Sequence, residues 1–257
     1  MNLLCDIAAR PVIGHRGAAA YAPENTLASL RLAPTLGAEA VEFDVRASRD
    51  GVAMVFHDPI LDRTTNLTGP VGARSAAELA AADAGHHFTD EDGALSYRGK
   101  GVGVPTLAQV LEALPALPLL IEIKEAAVSE AVARTLLEHE ASARAVVAGN
   151  DWRWLGPFTA APFQLGASRR DITRAFFGIG APHPACRVYS VPERWHRFHV
   201  PSRRFIAGAR GRNATTHVWT VDDAKSAIQW WRNGANGIVS NRPDVIRVTR
   251  DAFNAGL

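Results

Sequence analysis

Short apolar runs alternate with helix-period segments along almost the whole chain, and this alternation constrains the fold more than any other feature. Strand-like runs occupy residues 11–15, 40–47, 52–57, 118–124, 144–148, 162–165, 185–191, 215–221 and 237–240. Helical periodicity fills most of the gaps. Residues 26–36 follow Asn25 as an N-cap, 106–114 follow Pro105, and 129–140 begin on Ser129 as an N-cap. Residues 224–233 follow Asp222-Asp223, and 244–253 follow Pro243. Strands separated by helices pair in parallel, which means a β/α architecture. One joint breaks the rule. Only Ser48-Arg49-Asp50-Gly51 separates 40–47 from 52–57, with Asp-Gly as a turn signal. A parallel crossover needs about a dozen residues, so these two runs must form an antiparallel hairpin. Setting the hairpin partner aside leaves eight of nine runs. The expected fold is therefore α/β: a (β/α)8 TIM barrel with a β-hairpin after strand 2, preferred over a doubly wound open sheet.

A barrel of about 250 residues folds as one domain, so residues 1–257 are expected to be one unit. The stretch from about Pro59 to Gly103 interrupts the rhythm. It is rich in Gly, Asp and Thr and holds His86-His87 and Asp90-Glu91-Asp92. That reads as an inserted subdomain or lid over 59–104. Lys plus Arg is 28 against 26 for Asp plus Glu, a net charge of +2, so bulk charge gives no argument for nucleic acid. Cys5 and Cys186 make no disulfide framework, and a reducing compartment is the simplest reading. No run approaches the length of a membrane span, and residues 1–10 lack a signal-peptide pattern. The expectation is a cytoplasmic protein with no stable membrane anchor; its oligomeric state is unspecified.

Two carboxylates, Glu42 and Asp44, sit two apart in Val41-Glu-Phe-Asp-Val45, so both face one side of a strand. The same parity recurs in Leu120-Ile-Glu-Ile-Lys124, which pairs Glu122 with Lys124. Ionised groups among helix-packing residues are costly unless paired, so the charged set is expected to point into the barrel near the strand ends. Three converging carboxylates without Cys or His suit one hard divalent cation, Mg²⁺ or Ca²⁺. Pairing of these acids with arginines is the competing reading. His15 ends the first run within Ile13-Gly-His-Arg-Gly17, and His57 ends the hairpin run. Two imidazoles flanking a metal site suit a general base and a general acid, assigned here to His15 and His57 respectively. Arg16 and Lys124 supply positive charge for an anionic group. Together these groups form a phosphoryl-transfer constellation. Trp219 ends a strand where it would wall the pocket.

The chain resembles bacterial glycerophosphodiester phosphodiesterases. The resemblance opens on His15-Arg-Gly-Ala18 and Ala22-Pro-Glu-Asn-Thr-Leu27. It continues in order through Val41-Glu-Phe-Asp-Val45, Ser48-Arg-Asp-Gly51, Val55-Phe-His-Asp58 and Leu61-Asp-Arg-Thr-Thr65. Pro105-Thr-Leu107, Ile121-Glu-Ile-Lys124, Val218-Trp-Thr-Val221, Asn236-Gly-Ile-Val239 and Arg242-Pro-Asp244 carry it to about residue 246. It implies a (β/α)8 barrel with a small insertion and a divalent cation on Glu42, Asp44 and Glu122. It implies His15 and His57 as base and acid, and Arg16 and Lys124 on the phosphate. The implied substrate is a small glycerophosphodiester, split into glycerol 3-phosphate and an alcohol, by way of a cyclic phosphate or by direct attack of water.

Two departures stand out. Ser240-Asn-Arg-Pro243 replaces a Thr-Asp-Arg-Pro string common in that family, and residues 151–214 match poorly. Arg203 and Arg204 in the second region suggest an anionic alcohol group. The competing functions are a phospholipase D-like lyase, which would stop at a cyclic phosphate, and a binding-only barrel.

Overall fold

The computed structural model describes residues 2–179, 183, 185–195 and 198–256. Its parallel strands are β1 (Val12–His15), β2 (Ala40–Ala47), β4 (Leu119–Ile123), β5 (Ala145–Gly149), β6 (Gln164–Gly166), β7 (Cys186–Pro192), β10 (Thr215–Trp219) and β11 (Gly237–Ser240). β1 pairs with both β2 and β11, so these eight strands close into a barrel. The run over 52–57 gives β3 (Ala53–Val55), antiparallel on β2 with Val45 opposite Val55. The expected hairpin is thus formed, with Gly51 taking the positive φ (76°) of its turn. A two-residue ribbon, β8 (Arg194–Trp195) with β9 (Phe198–His199), lies outside the barrel sheet.

Period-two alternation sorts the strand residues into two layers. Val41, Phe43, Val45, Ile121 and Ile123 face outward, packing with Leu30, Ala33, Val110 and Leu111 from the helices. Ile13, Ala40, Leu120, Val146, Val188 and Val239 fill the barrel interior together with Leu4. Each of these buried Ile, Leu and Val side chains contributes about 1.5–3 kcal/mol. Moving along β2 the interior positions read Ala40, Glu42, Asp44, so the interior passes from apolar to ionised towards the carboxyl ends of the strands.

The helices are α1 (Leu27–Thr35), α2 (Ala76–Ala80), α3 (Leu107–Ala113), α4 (Ser129–Glu138), α5 (Arg169–Phe177), α6 (Arg203–Arg210), α7 (Ala224–Arg232) and α8 (Pro243–Asn254). Two expected caps are corrected. Thr26, not Asn25, caps α1 by accepting from Ser29 N, which leaves the Asn25 side chain for another role. α4 is entered directly from a 3-10 turn at Ala126–Val128, so Ser129 is its first residue, not its cap. Between β5 and β6 a 3-10 helix, Trp152–Phe158, stands where an α-helix is usual; Gly156 and Pro157 disfavour the longer helix.

The segment between β3 and α3 packs with β3 into a small core of Met54, Phe56, Leu61, Val71, Leu79, Ala84 and Val104. The Arg-rich segment 194–212 contributes β8, β9 and α6; its His196 and Arg197 lie outside the described residues. Among the described residues no helix is long and apolar enough to cross a membrane.

Candidate active site

β2 and β4 lie in a register that sets Asp44 beside Glu122. Glu42 and Asp44 are 7% and 1% exposed, yet oxygen atoms of Glu42, Asp44 and Glu122 all lie within 4.8 Å of one another. Such crowding needs counter-charge. Lys124 Nζ supplies it to Asp44 Oδ1 and Glu122 Oε1, each at 2.9 Å. Arg16 Nε lies 3.3 Å from Asp44 Oδ2, and the Arg16 backbone N–H donates to Glu42 Oε2 at 3.0 Å. Asn25 grips Asp44 from the far side: its Nδ2 donates to Oδ2 at 2.9 Å, and its Oδ1 accepts from Asp44 N at 3.2 Å. Burial alone would raise the Asp44 carboxyl, but the Lys124 and Arg16 cations override it and hold the group at about 2. Glu42 behaves oppositely. Burial, then the charges of Asp44 and Glu122, push it well above the ordinary carboxylate range. The three carboxylates thus converge as an oxygen-donor set while Asp44 and Glu122 also pair with cations.

His15 ends β1 opposite Glu42 in the register. Its Nδ1 meets Asn241 Oδ1 at 2.7 Å. Asn241 is held by Asp222, which accepts from its Nδ2 at 2.8 Å and its backbone N–H at 2.7 Å. Burial, then the adjacent Arg16 charge, lowers the His15 pKa. His57 has a different partner: its Nδ1 sits 2.6 Å from Asp58 Oδ1. The Asp58 carboxyl is held low by Arg63 and His57 against the effect of burial.

The two histidines, the three carboxylates, Arg16 and Lys124 line one cavity of about 450 Å³ at the carboxyl ends of the strands, where barrel enzymes carry their chemistry. All eight residues singled out in the sequence line it: His15, Arg16, Glu42, Asp44, His57, Glu122, Lys124 and Trp219. The opposite wall is more apolar, with Ala167, Ile172, Pro192 and Val200 beside Asn150, Thr173 and Ser190. Arg203 and Arg204 are not among the lining residues; they are exposed on α6, with Arg203 bonded to Asn233. They give no support to an anionic alcohol group. His86 and His87 pack edge to face at 4.7 Å, and among the described residues Glu42, Asp44 and Glu122 form the only group arranged to hold a metal ion.

Sequence reasoning gave no part in the site to Glu24, Asn25, Asp58, Arg63, Asp222 or Asn241. Glu24, Asn25, Asp58 and Arg63 lie inside strings that match the family, and Asn241 inside the string that departs from it, so position in an ordered motif was their only signal. The metal reading passes a chemical test on this donor set. Every donor is oxygen, two of the three carboxylates are buried, and one of them is pushed by burial and by its neighbours' charges towards holding a proton.

A closed parallel barrel with acids, cations and two histidines gathered at the carboxyl ends of its strands defines a (β/α)8-barrel enzyme. The profile of the Glycerophosphoryl diester phosphodiesterase family matches residues 15–158, and the chain belongs to that family. A putative glycerophosphodiester phosphodiesterase of Bacillus subtilis is 31% identical over 241 residues, covering 91% of this chain and 96% of that one. The crystal structure of a glycerophosphodiester phosphodiesterase from Agrobacterium tumefaciens superposes with a TM-score of 0.75 at 28% identity, covering 93% of this chain and 99% of that one. A phosphodiesterase of Oleispira antarctica, solved in complex with the product sn-glycerol-3-phosphate, shares the fold (TM-score 0.78, 24% identity, 95% of this chain and 98% of that one).

Proposed function

We propose that this glycerophosphodiester phosphodiesterase releases glycerol 3-phosphate and an alcohol by metal-dependent acid–base catalysis. The observation that carries the reading is a three-carboxylate oxygen cluster flanked by two histidines, one with its Nδ1 on a neutral amide oxygen and the other with its Nδ1 on a carboxylate. Glu42, Asp44 and Glu122 would hold one divalent cation, Mg²⁺ or Ca²⁺, which when bound supplies charge neutralisation at the phosphate. Arg16 and Lys124 bind the non-bridging oxygens. His15 is the base. Asn241 Oδ1 accepts its Nδ1 proton, which leaves the Nε2 lone pair to take a proton from the nucleophile, either the glycerol 2-hydroxyl or water. His57 is the acid: with Nδ1 on Asp58, its Nε2 gives the proton to the departing alkoxide as the P–O bond breaks. Trp219, on the rim, walls the substrate. A cavity of about 450 Å³ suits a small-molecule diester, and the product held by the Oleispira antarctica relative is the product assigned here. We take residues 1–257 as one catalytic domain in which 59–104, with a small core shared with β3, is an inserted subdomain.

The test is glycerol 3-phosphate release from glycerophosphocholine with Mg²⁺, with Ca²⁺ and with chelator, beside His15→Ala. Release that requires both metal and His15 is the expected result. Phosphorus NMR showing cyclic phosphate as the end product would replace hydrolysis with the lyase, and intact substrate would replace it with binding alone.

A further inference from the structure

Arg63 lies outside the cavity lining, in the first turn of the segment after β3, yet it makes three charged contacts. Its Nη1 and Nη2 form a two-pronged contact with Glu24, at 2.8 and 2.7 Å, while its Nε meets Asp58 Oδ2 at 2.5 Å. Each of these carboxylates serves a different member of the site. Glu24 Oε1 also accepts from Arg16 Nη1 at 2.6 Å, and Asp58 Oδ1 faces His57 Nδ1 at 2.6 Å. A continuous chain therefore runs His57–Asp58–Arg63–Glu24–Arg16. It spans from the proton donor to a phosphate-binding arginine, through residues brought together from two separate stretches of sequence.

The backbone under Arg63 is fixed. Leu61 is fully buried, Thr65 is 1% exposed, and the Thr65 hydroxyl donates to Leu61 O at 3.0 Å while accepting from Leu67 N at 3.0 Å. A planar guanidinium with five donors can grip two carboxylates at once; an ammonium is a point charge that cannot hold both in one geometry. Among the described residues, the cations that Asp58 and Glu24 pair with are Arg63 itself and the His57 and Arg16 that they position.

We propose that Arg63 is a positioning residue that couples the inserted segment to catalysis, holding Asp58 behind His57 and Glu24 behind Arg16. This rests on the function proposed above. Arg63 touches no reacting atom. It acts through His57 on protonation of the leaving group and through Arg16 on phosphate binding.

The experiment compares two esters of glycerol 3-phosphate, with choline and with p-nitrophenol, in the presence of Mg²⁺ or Ca²⁺. Nitrophenolate leaves without a proton, whereas the choline alkoxide does not. In Arg63→Gln, kcat on the choline ester should fall about 30- to 100-fold and kcat on the nitrophenyl ester less than about threefold. KM should rise for both, and Arg63→Lys should restore little. Equal loss of kcat on both esters, or full rescue by Lys, would overturn the proposal in favour of a merely structural or purely charge role. A second arm needs no turnover. The proton between His57 Nδ1 and Asp58 should give a far-downfield resonance, assigned by its loss in His57→Gln. It should broaden or vanish in Arg63→Gln and persist in Arg49→Gln, which breaks exposed contacts with Glu78 and the Ala73 carbonyl, away from His57. An unchanged resonance in Arg63→Gln would sink the proposal. Should the unmodified protein cleave neither ester, the function fails, and this second arm still decides the role of Arg63.

Discussion

His15 and His57 carry the same ring, and their partners separate them. The amide of Asn241 has one orientation available: Asp222 accepts from its Nδ2, so its Oδ1 must face His15. An acceptor at Nδ1 places the proton there and exposes the lone pair on Nε2. Burial first, and the Arg16 charge second, then keep the ring neutral to lower pH than an ordinary histidine. The working form of a base is the deprotonated one. The limb of kcat/KM that rises with pH and reports His15 should therefore lie below pH ~6.5, the ordinary value for the side chain. A limb at or above that value in a pH–rate profile would contradict the assignment. Asn241→Leu removes the acceptor and leaves Asp222 without its amide. Its kcat/KM on the plateau should fall about 10- to 100-fold, and the nitrogen chemical shifts of His15 should show a mixture of tautomers. A fall in rate with the tautomer unchanged would mean that Asn241 shapes the pocket in some other way.

The end of β1 turns sharply because two glycines allow it. Gly17 has φ 90°, and a Cβ there would lie 2.5 Å from the Ser29 carbonyl carbon, at the start of α1. A Cβ on Gly14 would lie 2.9 Å from Ala33 Cβ. The close approach of α1 lets Arg16, itself at φ 50°, aim its backbone N–H at Glu42. Gly17→Ala should cost about 1–3 kcal/mol of stability from backbone strain alone. Activity should fall further than that loss explains, because Arg16 moves with the turn. Urea unfolding and kcat measured on the still-folded fraction separate the two effects, and a variant with full specific activity would refute the second. How much of this could be read in the sequence differs from element to element. The inward set on β2 and β4 was legible because side chains alternate strictly along a strand, and Val41–Val45 writes its charges on one parity. The contacts of Asn241 with His15 and of Arg63 with Glu24 were not, since those residues are 226 and 39 positions apart and meet only when the chain folds back. α5 escaped because Asp171 is its only buried residue and its apolar stripe is thin; its signals are terminal ones, the Ser168–Asp171 capping box and Gly178 at φ 68°. The 3-10 helix Trp152–Phe158 follows the same logic: its contacts are packed by the barrel, not signalled by local periodicity.

Taken as one object, the barrel is dry at one end and over-charged at the other. Leu4 closes the apolar interior, and its carbonyl accepts from Thr215 Oγ1 at 2.7 Å and meets His217 Nε2 at 2.8 Å. At the opposite end three carboxylates crowd, and burying Glu42 beside the charges of Asp44 and Glu122 carries an electrostatic penalty. A divalent cation would relieve that penalty, so its binding and the stability of the whole molecule must be linked. At a metal concentration of about 100 Kd the linkage is worth about 2.7 kcal/mol. For a chain of this size each kcal/mol moves Tm by about 2–4 °C, so Mg²⁺ or Ca²⁺ should raise Tm by roughly 5–11 °C and chelator should return it. The sign of the pH effect follows from Glu42. Its folded carboxyl is raised, so as pH falls it takes a proton that competes with the cation; metal affinity should weaken towards acid, and binding should release protons. Calorimetry in two buffers of different ionisation enthalpy reads that release directly. Glu122→Gln gives the sharpest comparison. It removes a ligand but also removes one of the charges that raise Glu42, so the metal-free Tm should hold or rise while the metal-induced increment disappears. Persistence of the increment in Glu122→Gln would place the cation elsewhere, and a metal-free Tm that drops would show the Lys124–Glu122 pair to be worth more to the fold than the repulsion it neutralises.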